Sequence, residues 1–100
     1  MSAIFETGML LSTSVISQSQ VGNPRFSLFL QRSLNKHINA DWGDLEEEDI
    51  ETNKQALENG DRLFSCYLIP SDININNETK IYIITEADRS ATTVLFPSEY

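Results

Sequence analysis

The segment His37–Asp49, reading His-Ile-Asn-Ala-Asp-Trp-Gly-Asp-Leu-Glu-Glu-Glu-Asp, constrains this chain more than any other. It holds the only histidine, the only tryptophan, and six carboxylates between Asp41 and Asp49. The residues on either side of it repeat with helical spacing. The segment therefore reads as a corner between two helices, with the later strands packing around it.

Before the corner, Gly22-Asn23-Pro24 is a helix start, with Asn23 as N-cap and Pro24 as the first helical residue. Phe26, Phe29, Leu30, Leu34, His37 and Ile38 then form one apolar stripe, with Arg25, Arg32 and Lys36 off it. This helix is expected to end near His37–Asn39. After the corner, Asp44-Leu45-Glu46-Glu47 has the capping-box pattern. A second helix is expected over Leu45–Asn59, closed by Gly60 in a left-handed C-cap. Its inner stripe would be Leu45, Asp49, Asn53, Ala56 and Leu57, with Ile50 at the margin. Asp49 and Asn53 then fall on the buried side.

Strands are expected at Ile4–Leu11, Arg62–Ile69, Lys80–Glu86 and Ala91–Pro97. Gly8 marks a bulge or a close backbone approach in the first. Ser12, Thr13 or Ser14 is placed to cap a short helix over Val15–Gln20, a stretch equally compatible with loop. Ala87-Asp88-Arg89-Ser90 is a hairpin connection. Pro70–Thr79, with Asn74, Asn76 and Asn77, is a longer and mobile loop. These elements predict one α+β domain over residues 1–100. A four-stranded, mostly antiparallel sheet carries two helices on one face, or three with the short one.

Fifteen acidic residues against seven basic ones leave a net charge of −8. That disfavours direct binding to nucleic acid, which needs a basic surface, and to anionic membranes. It permits docking on a basic protein. The lone cysteine, Cys66, excludes an intramolecular disulfide and reads as a buried thiol in an apolar strand. Neither a signal peptide nor a membrane span is evident, so a cytoplasmic protein is expected.

His37 with Asp41, Asp44 and Asp49 has metal-binding residue types, but the spacing fits no specific zinc signature, and no metal or cofactor is expected. The plainer reading of His37 is a ring that meets the last carbonyls of its helix and a nearby carboxylate. Gly43 suits a positive φ in the corner. Trp42 plugs the core edge or, in the sharper reading, anchors a partner. Polar groups on a buried stripe need partners. Asp49, Asn53, Glu86 and Asp88, with Asp41 at the corner, are therefore expected to share a network with Arg62 or Arg89. A catalytic version would use His37 as general base and Arg62 or Arg89 as anion stabiliser, as in compact ribonuclease folds. Glu46, Glu47, Glu48 and Glu51 form either a solvated helix face or a negative strip that occupies a nucleic-acid-binding surface. No Gly-rich phosphate loop, serine-centred nucleophile elbow or Cys–His pair with useful spacing is present.

The residues His37…Asp41-Trp42-Gly43-Asp44, Asp49…Asn53…Ala56-Leu57…Gly60…Arg62-Leu63 and Ile83-Ile84-Thr85-Glu86-Ala87-Asp88-Arg89-Ser90…Thr93…Leu95…Pro97…Glu99-Tyr100 carry a resemblance. Over His37–Tyr100 the chain resembles a family of small bacterial proteins found on plasmids and other mobile elements, some labelled plasmid-related protein or type I restriction subunit. The resemblance implies a mobile-element setting and no particular chemistry. The leading expectation is thus a non-enzymatic interaction protein whose acidic helix docks on a basic, nucleic-acid-handling protein and modulates or inhibits it. The alternative is a small hydrolase or ribonuclease built on His37. A homo-oligomer joined through an open sheet edge is a third possibility.

Overall fold

The computed structural model describes residues 4–75 and 77–100. It has the expected α+β architecture, with three helices and a mixed, mostly antiparallel sheet. Strand β1 is Met9–Ser12, followed by helices α1 (Ser14–Gln20), α2 (Pro24–Ile38) and α3 (Glu47–Asn59). Strands β2 (Leu63–Leu68), β3 (Lys80–Thr85) and β4 (Ala91–Leu95) come next, and a 3-10 turn at Pro97–Glu99 closes the chain. The spatial order is β1-β4-β3-β2, with β1 parallel to β4 and the other pairs antiparallel.

The helix ends follow local chemistry. Thr13 Oγ1 accepts from Ile16 N–H and starts α1. Asn23 Oδ1 accepts from Phe26 N–H, and Pro24 opens α2. α2 ends with Ala40 at φ 61 and a bond from Asp41 N–H to Lys36 O, the Schellman pattern. Gly60 closes α3 in the left-handed region, at φ 74.

Two starts differ from expectation. α3 begins at Glu47, with Glu46 as N-cap and no side-chain cap bond, because Asp44 is bound elsewhere. The first strand begins at Met9 rather than Ile4. Gly8 stands at φ +63 against the backbone of Ser90, where a Cβ would lie 2.3 Å from the carbonyl. That close approach bends the chain, and Ile4 N–H turns instead to Ile38 O.

One core lies between the sheet and α1–α2. Ile16, Phe26 and Leu30 pack on Tyr67, Ile81, Ile83 and Phe96, and Phe26 stacks on Phe96. A second cluster joins Trp42, Ala56 and Leu63, with Phe5, Ile50 and Leu57 against it. The Pro70–Thr79 loop is tied down by Ile75, which is buried in the first core, and by a bond from Ile69 N–H to Thr79 O; Asn76 lies outside the described residues. Among the described residues no helix is long and apolar enough to cross a membrane.

Candidate functional site

His37 sits in the last turn of α2 and is completely buried, at 0% exposure. Its ring meets the edges of Phe5 and Trp42, with centroids 5.4 and 5.5 Å away. Nδ1 lies 2.5 Å from Ser65 Oγ on β2, and Nε2 lies 2.9 Å from Thr85 Oγ1 on β3. Thr85 Oγ1 is 2.7 Å from Thr92 Oγ1 on β4, and Thr92 donates to Thr7 O at 2.8 Å.

Counting protons sets the direction of this chain. Thr92 gives its only proton to Thr7 O, so Thr85 must donate to Thr92. Thr85 then accepts from His37 Nε2–H, which leaves Nδ1 to accept from Ser65. The imidazole is neutral, with both nitrogens satisfied. Burial pushes its pKa down to about 4. Ser65, Thr85 and Thr92 were visible in the sequence only as polar residues at inward positions of apolar strands, and their convergence depends on strand register.

The structure does not bring the three residues of the catalytic reading, His37, Arg62 and Arg89, together. His37 is closed to solvent. Arg62 lies beyond the sheet, donating to Tyr100 Oη at 2.5 Å with its guanidinium 5.3 Å over that ring. Tyr100 packs with Phe64 and Tyr82, on the face opposite Ser65 and Thr85. Arg89 is occupied with carbonyls: it donates to Asp61 O, Glu86 O and Ala87 O at 2.7–3.3 Å and so fastens the hairpin to the end of α3. The ring of Phe5 touches both Arg89 and His37, so neither arginine faces the imidazole.

Among the described residues no carboxylate of the expected polar network bonds to Arg62 or Arg89. Asp49 is exposed and lines a surface groove with Asn53, Arg62 and Tyr100, but its carboxylate makes no hydrogen bond or ion pair among the described residues. Asp41 accepts from Gly43 N–H, while its backbone carbonyl accepts from Tyr67 Oη. Glu86 is exposed and contributes its backbone to the hairpin. Asp88 accepts from Ser90 N–H within the hairpin turn. The Ser90 hydroxyl and N–H hold its carboxyl below the usual range.

Asn53 alone is buried as expected, and its partner is backbone. Its Nδ2 donates to Phe64 O at 2.5 Å, and its Oδ1 accepts from Phe64 N–H at 3.1 Å. The side-chain amide thereby imitates a neighbouring strand. The rest of the outer edge of β2 is closed by the corner. Cys66 N–H donates to Trp42 O, Asp44 N–H donates to Cys66 O at 2.7 Å, and Leu68 N–H donates to the Asp44 carboxylate at 3.0 Å. Gly43 makes this approach feasible: at φ +77, a Cβ there would lie 2.1 Å from Cys66 O. Trp42 is 5% exposed and packs in the second core. Cys66 is a buried free thiol whose pKa burial raises.

The acidic strip is the opposite case. Glu46, Glu47, Glu48 and Glu51 are all exposed. Among the described residues the only ion pair joins Arg25 to Asp72, so none of these four has an ion-pair partner there. Three acids in the first turn, Glu47, Glu48 and Asp49, suit the positive end of the helix dipole. Among the described residues no three of His, Cys, Asp or Glu converge as metal ligands.

No family model, curated protein or solved structure matches the chain, so the site is read from its own geometry.

Proposed function

We propose that this protein is a non-enzymatic interaction module whose α3 face docks on a protein with a basic surface. The observation that carries the reading is the state of Glu46, Glu47, Glu48 and Glu51: exposed, adjacent, and without a cation partner among the described residues. A strip of unscreened carboxylates on one rigid helix steers and orients a positively charged partner. The segment from Asp41 to Asp61 contains nine of the fifteen acids and only Lys54 as a base. The negative charge is therefore concentrated in this segment. A nuclease or other nucleic-acid-handling protein has the matching surface, since it must itself neutralise phosphates. Occupying that surface would inhibit or modulate it. The resemblance to mobile-element proteins supports the same setting. In this reading His37, Asn53 and Asp44 hold the scaffold and take no part in chemistry.

The test is affinity co-purification from a bacterial lysate with the native chain and with a variant carrying Glu→Gln at 46, 47, 48 and 51. A stoichiometric basic partner, released by salt and lost in the variant, is the expected result. The same set of proteins on both columns would overturn the proposal.

A further inference from the structure

The two outer edges of the sheet are finished differently. On β2 the outward groups of Phe64 and Cys66 and the N–H of Leu68 all have partners. On β1 they do not. Met9 N–H donates to Ser90 O and Thr13 N–H to Val94 O, so Met9, Leu11 and Thr13 turn their backbone toward β4. Alternation points the N–H and C=O of Leu10 and Ser12 the other way, where among the described residues no strand follows. Met9–Ser12 contains no lysine or proline to blunt this edge, and all four residues are exposed.

The side chains agree with the backbone. Met9, Leu10 and Leu11 are 66%, 56% and 43% exposed. Leu10 shares the helical side with Thr92, at a groove lined by Ile16, Leu30, Leu34 and Val94. Met9 and Leu11 lie on the opposite face. From Thr7 to Pro24 the chain has no charged residue, although its net charge is −8. A second copy is repelled by the acidic α3 segment, whereas β1 itself carries no charge and the carboxylate beside it, Glu99, is bound by Thr13 Oγ1 and Phe96 N–H. A foreign basic partner, by contrast, is drawn to α3 at the other edge.

We propose that β1 is a self-association edge, on which two copies of this chain pair β1 against β1 antiparallel about a two-fold axis. The axis passes through Leu11, and Leu10 lies opposite Ser12 of the second copy. Both residues then exchange the N–H and C=O bonds that the isolated edge leaves open. Leu11 meets its own counterpart at a non-hydrogen-bonded position, where Cα atoms approach to about 4.5 Å. The contact is isologous, so it closes at the dimer and unites the two sheets. The proposal does not rest on the acidic-face reading, because β1 and α3 occupy opposite edges.

The experiment is sedimentation of the full chain over a range of concentrations, with three variants. Leu10→Pro removes one outward N–H and leaves the ladder to β4 intact. Leu11→Lys places charge on the axis. Leu11→Cys, mildly oxidised, reports the register, with Leu28→Cys on α2 as a control of similar exposure, 46% for Leu28 against 43% for Leu11. The native chain is expected to shift from its 11.3 kDa monomer toward twice that mass as concentration rises. Leu10→Pro and Leu11→Lys are expected to stay monomeric with unchanged circular dichroism. Leu11→Cys is expected to form a covalent dimer, and Leu28→Cys is not. A native chain that stays monomeric throughout, or a dimer indifferent to Leu11→Lys, overturns the proposal. A dimer in which Leu11→Cys fails to cross-link overturns the register. If Leu10→Pro does not fold, the two Leu11 variants still decide the question.

Discussion

The buried histidine and the acidic helix begin within ten residues of each other, yet they have opposite standing in the molecule. His37 has a hydrogen-bond partner on each ring nitrogen and no exposure. Glu46, Glu47, Glu48 and Glu51 are exposed and make no ion pair among the described residues. Polarity in a sequence therefore does not by itself mark a site. A polar group whose bonds are completed inside the fold holds the fold, and one left uncompleted is available to something else. The sheet edges repeat the lesson, with β2 closed by Asn53 and Asp44 and β1 left open.

The sharpest way to break this contrast is to remove the imidazole. His37→Ala vacates a fully buried volume and strands Ser65 and Thr85, so a loss of about 4 kcal/mol is expected in urea unfolding. A loss below about 1 kcal/mol would mean that the ring is dispensable. Acid should act on the same group more gently. The folded protein binds the His37 proton only near pH 4, whereas the unfolded chain binds it near 6.5. Between those values the unfolded state holds more protons, so stability is complete above 6.5 and declines as pH falls toward 4. The decline amounts to about 3 kcal/mol. Its upper part, from pH 6.5 to 5, lies above ordinary carboxylate titration and should vanish in His37→Gln. An unchanged slope in that variant would assign the effect to other groups.

Asn53→Ala should come next, at about 2 kcal/mol, because it leaves the backbone donor and acceptor of Phe64 unpaired at a half-buried edge. Faster amide exchange at Phe64 than at Ser65 would locate the damage. The smallest effect on stability belongs to the four Glu→Gln changes at 46, 47, 48 and 51. Lost dipole interactions and relieved repulsion oppose each other there, and a net change within about 0.5 kcal/mol is expected. A large destabilisation would make those carboxylates structural after all.

Much of the fold was legible because its signals are local. Asn23-Pro24 and Gly60 mark helix ends through backbone chemistry confined to one turn, and Ala87–Ser90 marks the hairpin in the same way. The strands are found within a residue or two, apart from β1, whose start depends on how closely Gly8 approaches Ser90. The polar contacts were less legible because they are long-range. Asp44 has the spacing of a cap, but the edge of β2 competes for its carboxylate, and helical periodicity carries no trace of that competition. Asp49 shares a stripe with Asn53, yet only Asn53 is buried; Asp49, one turn earlier, lies at the rim of an open groove, a difference that helical periodicity does not carry. Ser65, Thr85 and Thr92 converge on His37 only once three strands are in register.

The most direct measurement sets the four-Gln protein beside His37→Ala in two assays, thermal unfolding and capture of the basic partner. The four-Gln protein is predicted to melt with the native chain and to lose the partner. His37→Ala, held below its lowered midpoint, is predicted to keep the partner. The reverse pattern, or a partner retained by the four-Gln protein, would contradict the division of this molecule into an internally satisfied scaffold and an outward-facing acidic surface.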